Sequence, residues 1–300
     1  MGADRSAPRV TLARGGSARD RLGYACAAVP HRREPPLSPL PSIEPDRIAL
    51  PLTPPQAVPE TLALCFAPAA ATPGGTVVLA HSAGSGPDSD VLLAVGRRLA
   101  THGHAVLSFA FGYRAAGRRL PDPQPRLLSA WSDAVSAARE RWGPQRPLVL
   151  GGRSMGGRMA SLLVAAGRPC DGLVLLAYPL RPARAPRRAG GAAAVPGHGP
   201  PRTAHWRDVA PPVLFVSGER DALCDLSELN RERAALPRAS QVVVLAGGDH
   251  SFTLRARDGR TRAAVLDEVA GAVASWVDAR CPRWRLSAAV PGQEEEGRRS

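Results

Sequence analysis

Apolar residues in this chain fall into two alternating patterns, short near-continuous runs and longer stretches with apolar positions three and four apart. The first pattern predicts strands buried on both faces, and the second predicts amphipathic helices. A modest strand is expected at Thr61–Phe66, at the sheet edge, and a stronger, buried one at Thr76–His81. A helix follows from about Ser89 to Thr101 with Val91, Leu92, Val95 and Leu99 inward, then a strand at Ala105–Phe109. After the Pro-rich turn Pro121–Pro125, the residues Leu128, Trp131, Val135, Ala138 and Trp142 keep one helical stripe, so both tryptophans read as core. The strand Leu148–Leu150 runs through a Gly-rich turn into a helix carrying Met155, Met159, Leu162, Leu163 and Ala166, followed by a strand at Leu173–Tyr178. The last third continues with strand Val213–Ser217, helix Leu226–Leu236, strand Gln241–Leu245 and helix Arg262–Val277, the last with Leu266, Val269, Val273 and Val277 inward.

This alternation defines the expected class, an α/β fold with a mostly parallel central sheet and helices on both faces. Right-handed crossovers then bring every strand-to-helix loop to one edge of the sheet, where a site belongs. With 300 residues and 44% hydrophobic composition, the chain can fill one large domain, expected over residues 46–280. A disordered Pro/Arg-rich tail is expected over 1–45, a second disordered tail over 281–300, and an Arg/Gly/Pro-rich insertion near 181–205. There is no internal repeat.

A net charge of +13 suggests nucleic acid until it is located. All of the cationic side chains are arginine, since the chain has no lysine. Six arginines and no acid lie between Arg181 and Arg207, and the first 47 residues add eight arginines against five acids. No basic stripe with interleaved aromatics occurs, so no specific nucleic-acid partner is expected. Five cysteines, Cys26, Cys65, Cys170, Cys224 and Cys281, are widely spaced without a C-x-x-C pair. That pattern argues against a disulfide framework or zinc site and fits a reducing, cytoplasmic compartment. No run reaches the ~18 apolar residues of a membrane span, and Leu22–Val29 is thin for a signal-peptide core.

The chemistry concentrates at Gly152-Arg153-Ser154-Met155-Gly156, a G-x-S-x-G pentapeptide between a predicted strand and a predicted helix. A turn tight enough to lift the Ser154 hydroxyl over the sheet edge leaves no room for side chains at Gly152 and Gly156. It also sets Ser154 at a helix start, whose free N–H groups favour developing negative charge. A serine nucleophile needs a base, and the base needs an acid to hold its tautomer. Of the downstream histidines, His198 lies within the insertion and His205 has no strand before it, whereas His250 follows the strand Gln241–Leu245. Asp221, after Val213–Ser217, is the expected acid, with Glu219 its main rival; Asp225 is the better cap for the next helix, and Asp249 is too close to His250 in sequence. The Met155 amide and the Ala83 amide, in the small-residue loop His81-Ser82-Ala83-Gly84, are the expected oxyanion donors. His81 reads as a brace for that loop. Asp88 and Asp90 read as capping residues and His102-Gly103-His104 as a turn, so no metal site is expected. There is no P-loop or dinucleotide glycine fingerprint, and no cofactor is called for.

The order serine, acid, histidine resembles the α/β-hydrolase superfamily from about Thr61 to Trp276. Five motifs are similar to a dienelactone-hydrolase-like branch: His81-Ser82-Ala83-Gly84, Gly151 through Met159, Ala177-Tyr178-Pro179-Leu180, Ser217 through Asp221, and Gly248-Asp249-His250-Ser251-Phe252. That branch includes bacterial predicted hydrolases, a testis-expressed vertebrate protein and a subunit of the NSL chromatin complex. The resemblance implies nucleophile at Ser154, acid at Asp221 and base at His250. The branch usually has glycine where Ser82 stands, and its members run directly from Tyr-Pro-Leu to the next strand where this chain has Arg184–Pro201. The expected activity is hydrolysis of a small acyl ester or thioester. The alternative is a non-catalytic binding or scaffold module that keeps the elbow for packing.

Overall fold

Among the described residues the chain forms eight strands, and the sheet they build is the frame that carries the site. The structure, a computed structural model, describes residues 43–69, 74–182 and 199–281. Most of the N-terminal tail and all but the first residue of the C-terminal tail lie outside the described residues, as do Cys26 and residues 183–198 of the insertion, with His198.

The elements in chain order are β1 (Asp46–Pro51), β2 (Glu60–Phe66), β3 (Thr76–Ala80), α1 (Asp90–Thr101), β4 (Ala105–Phe109), α2 (Gly112–Ala115), α3 (Gln124–Trp142) and β5 (Leu148–Arg153). They continue with α4 (Met155–Ala165), β6 (Gly172–Leu176), β7 (Val213–Gly218), α5 (Leu226–Glu232), β8 (Ser240–Leu245) and α6 (Arg262–Asp278). The spatial strand order is β1-β2-β4-β3-β5-β6-β7-β8. β1–β2 and β2–β4 pair antiparallel, and every other pair is parallel.

Alternate residues of each inner strand feed two apolar layers. On one face Val78, Leu150 and Phe215 pack with Trp131 of α3, Met159 of α4 and Leu229 of α5. On the other, Val77, Val149 and Val216 pack with Leu92 and Leu99 of α1 and with Val269 and Val273 of α6. Because β3 and β5 to β7 are covered on both sides, they read in the sequence as unbroken apolar runs. Trp131 is fully buried, while Trp142 is half-buried against the same layer with Arg141 over its ring.

Three details differ from expectation. The strand at Thr61–Phe66 is not an edge: β1 pairs outside it, with Asp46 opposite Cys65 and Pro51 opposite Glu60. β1 has a mostly exposed burial pattern and ends in a proline, which suits an outer strand and weakens its apolar signal. α3 begins at Gln124, inside the stretch expected as a turn, because Pro125 falls in the first helical turn where no N–H is needed. α5 stops at Glu232 and its last turn, Arg233–Ala235, tightens to a 3-10 helix.

Candidate active site

Strand β5 delivers Ser154 to the C-terminal edge of the sheet in a backbone conformation that few side chains adopt, φ 51° and ψ −113°. Two contacts hold it there. The Ser154 N–H donates to the Leu176 carbonyl of the neighbouring strand at 2.8 Å, and the Ser154 carbonyl accepts from Arg158 in the first turn of α4 at 3.0 Å. The glycines permit the approach. A Cβ on residue 152 would stand 2.3 Å from the Ala80 carbonyl oxygen, and one on residue 156 would stand 2.2 Å from the same atom.

Two further loops on this edge supply an imidazole and a carboxylate. The Ser154 Oγ lies 2.9 Å from His250 Nε2, and His250 Nδ1 lies 2.8 Å and 2.9 Å from the two carboxylate oxygens of Asp221. The Asp221 side chain is fully buried and that of His250 is 17% exposed. One Asp221 oxygen also accepts from the Leu223 N–H at 2.9 Å, which fixes the carboxylate from behind.

The competing acids are occupied elsewhere. Glu219 accepts from the Gly247 N–H at 2.7 Å, Asp225 caps α5 by accepting from Glu228 N at 2.8 Å, and Asp249 accepts from the Ser251 and Thr253 amides. Each of these carboxylates shapes a loop rather than facing the imidazole. Among the other histidines, His205 meets Ser161 at 2.8 Å, two turns along α4 from Ser154. Burial, helped by the field of Arg158, holds His205 down at about 4.

The loop after β3 is braced from below. His81 is fully buried; its Nδ1 donates to the Ser82 carbonyl at 2.7 Å, and its Nε2 accepts from the Phe111 N–H at 3.1 Å. Those partners fix one neutral tautomer. Burial pushes the ring down to about 4, which keeps it uncharged at neutral pH. Ser82 turns its hydroxyl into the loop, 2.9 Å from Ser85 Oγ. Ala83 is held from the side, since the Tyr113 hydroxyl donates to its carbonyl at 2.7 Å. The Met155 N–H opens helix α4 and so has no partner within the helix.

Several residues that serve the site gave no signal in the sequence. Tyr113 sits on the short α2, too brief to show periodicity. Arg153 reaches across the edge, and its guanidinium donates to the His250 carbonyl at 3.2 Å and to Ser251 Oγ at 2.9 Å. Arg262 of α6 donates to the Phe252 carbonyl at 2.6 Å and pairs with Asp90. Arg220 Nε donates to the Gly247 carbonyl at 2.8 Å, and a Cβ on residue 218 would stand 2.4 Å from the Gly248 carbonyl oxygen. The acid loop and the histidine loop are thus locked together.

Away from this edge, His102 and His104 are joined by Asp278, which lies far off in sequence, at 2.7 Å and 2.8 Å. Among the described residues there is no group of three or more His, Cys, Asp or Glu side chains able to hold a metal ion. No helix among them is long and apolar enough to cross a membrane.

A mostly parallel sheet covered on both faces, with hydroxyl, imidazole and carboxylate aligned on the loops at one edge, defines an α/β protein of the hydrolase type. The comparison with known families makes this specific: the model for the alpha/beta hydrolase domain matches residues 73–278, and the chain belongs to that family. Solved structures share the fold at low identity. An alpha-beta serine hydrolase homologue from Coxiella burnetii matches with a TM-score of 0.59 and 15% identity, over 80% of this chain and 100% of that one. A dienelactone hydrolase from Anabaena variabilis matches with 0.59 and 18%, over 79% and 99%. A serine hydrolase without a lid from Xanthomonas campestris matches with 0.56 and 18%, over 80% and 98%. The dienelactone-hydrolase-like character of the fold agrees with the resemblance carried by the motifs.

Proposed function

We propose that this protein is a serine hydrolase that cleaves a small acyl ester or thioester. The supporting observation is the unbroken hydrogen-bond line from Ser154 Oγ through both ring nitrogens of His250 to Asp221. In this reading His250 Nε2 takes the Ser154 proton as Oγ attacks the substrate carbonyl, and buried Asp221 holds the tautomer and stabilises the imidazolium. The Met155 and Ala83 amides receive the oxyanion. His250 then gives its proton to the leaving oxygen or sulfur. Water activated by the same imidazole hydrolyses the acyl-enzyme and restores Ser154. No step calls for a metal or organic cofactor. A reducing compartment, the cytoplasm, suits the four described cysteines, all of which are free thiols.

A fluorophosphonate probe tests the reading, because it phosphonylates only a serine activated in this way. The expected result is one labelled site, on the peptide containing Ser154, absent in Ser154→Ala. An unreactive, folded wild type overturns the enzyme and favours the binding module.

A further inference from the structure

The loop that carries His250 is held in a backbone shape it would not adopt unaided. Phe252, two residues on, is fully buried in the left-handed region at φ 56°, a conformation that strains a bulky residue. The Asp249 carboxylate accepts from the Ser251 and Thr253 amides, at 2.7 Å and 2.9 Å. The carbonyls of His250, Ser251 and Phe252 turn to side chains instead, and among the described residues their donors are two guanidinium groups. Arg153 Nη2 donates to the His250 carbonyl at 3.2 Å and to Ser251 Oγ at 2.9 Å. Arg262 Nη1 donates to the Ser251 and Phe252 carbonyls at 3.2 Å and 2.6 Å, while its Nε donates to Asp90 of α1 at 2.8 Å.

The two arginines differ in what else they do. Arg262 has a counter-ion in Asp90, whereas among the described residues no carboxylate lies within ion-pair distance of Arg153. A half-buried guanidinium without a counter-ion costs stability, and folds keep such groups where they organise a site. Arg153 also closes β5 and directly precedes Ser154, which fixes its Cα about 3.8 Å from that of the serine. Gripping the main chain of His250 from there joins the strand that delivers the hydroxyl to the loop that delivers the imidazole.

We propose that Arg153 is a positioning residue, which sets the separation of Ser154 Oγ and His250 Nε2 by holding the histidine loop through the His250 carbonyl and the Ser251 hydroxyl. Arg262 braces the same loop from α6. The kinetic consequence rests on the hydrolase reading, and the positioning rests on the hydrogen bonds. Arg153 acts through His250 and has no contact with the reacting atoms to make.

The test uses the full chain and a neutral ester, para-nitrophenyl acetate. Arg153→Met keeps the stem and removes the donors, and Arg153→Lys keeps one cationic donor. The expected loss of kcat in Arg153→Met is on the order of a hundredfold with KM within about twofold, because a shift of about 1 Å between reacting groups suffices. Arg153→Lys is expected to recover part of that loss. Ser251→Ala, at an exposed residue, removes one of the two acceptors and is expected to lower kcat about threefold. If Arg153→Met does not fold, Ser251→Ala decides: a loss of kcat at constant KM upholds the assignment, and an unchanged kcat overturns it. A kcat within about fivefold of wild type in folded Arg153→Met, or a loss that sits in KM, overturns the assignment and leaves the hydrolase standing. If the wild type cleaves no ester and takes no fluorophosphonate, the hydrolase reading fails, and the His250 Nδ1–H resonance in protein with isotope-labelled histidine decides the positioning role. A displaced resonance in Arg153→Met upholds it, and an unchanged one overturns it.

Discussion

His250 Nε2 stands 2.9 Å from the Oγ of Ser154 although 96 positions of chain separate them. Three strands, β6, β7 and β8, and the Arg-rich segment intervene, and only the parallel winding of β5, β6, β7 and β8 returns the histidine loop to the serine's edge. Replacing His250 with Ala is expected to lower kcat/KM for para-nitrophenyl acetate by about a millionfold. Asp221→Asn is expected to cost about ten-thousand-fold, because an amide holds the ring in the wrong tautomer. Stopped assays on variants with unchanged circular dichroism check both.

Gly156→Ala is expected to destabilise the fold by about 3 kcal/mol or more, since its Cβ would fall 2.2 Å from a backbone oxygen that has no room to retreat. A lower urea midpoint at unchanged slope is the measurement.

Tyr113→Phe keeps the packing of the ring against His81 and Phe111 and removes the donor to the Ala83 carbonyl. On the proposed reading, in which the Ala83 amide receives the oxyanion, the expected effect is about a tenfold loss, roughly 1–2 kcal/mol, in kcat with little change in KM. Steady-state kinetics on a neutral ester separates the two parameters.

Stability is expected to fall as the pH drops from about 6.5 to about 4. His81 is neutral when folded, with its pKa held near 4 by burial, and regains its ordinary 6.5 on unfolding. The unfolded chain therefore binds the extra proton in this window, so the stabilisation is present above 6.5 and lost as pH falls through the folded value, on the order of 3 kcal/mol. Urea titrations across that range should show the slope; His205, held near 4 in the same way, contributes to it, so His81→Gln should reduce the slope and His81→Gln with His205→Gln should reduce it further.

Burial raises the Cys65 thiol to about 11 and those of Cys170, Cys224 and Cys281 to about 12. At pH 8 a thiol near 12 is thiolate only about once in ten thousand. Peptide mapping after iodoacetamide should find these four unmodified in the native protein and alkylated in urea. This bears on Cys224, which lies 3.7 Å from Ser217 just behind the acid loop and acts as a small apolar residue there.

Much of the architecture is legible because it rests on local rules. Strands buried on both sides must be continuously apolar, so β3, β5, β6 and β7 announce themselves, and helices such as α1 and α6 carry their stripes. β1 is silent because its apolar run is short, most of its residues are exposed and it ends in a proline, whereas the other edge strand, β8, carries the apolar run Val242–Leu245. The line of Ser154, His250 and Asp221 follows from chain order and loop position, and its distances follow only from the winding. Tyr113, Arg153 and Arg262 are invisible in sequence for a different reason. They act through carbonyl oxygens of other loops, and a backbone acceptor leaves no residue type to recognise.

Gly218 sits so close to Gly248 that their loops cannot slide, and Arg220 pins Gly247 from the flank. Carboxylate and imidazole therefore travel as one cassette, while the hydroxyl rides on a separate helix. A chemist exchanging Ser154 for cysteine would leave that cassette untouched, with the same imidazole and carboxylate facing the new sulfur.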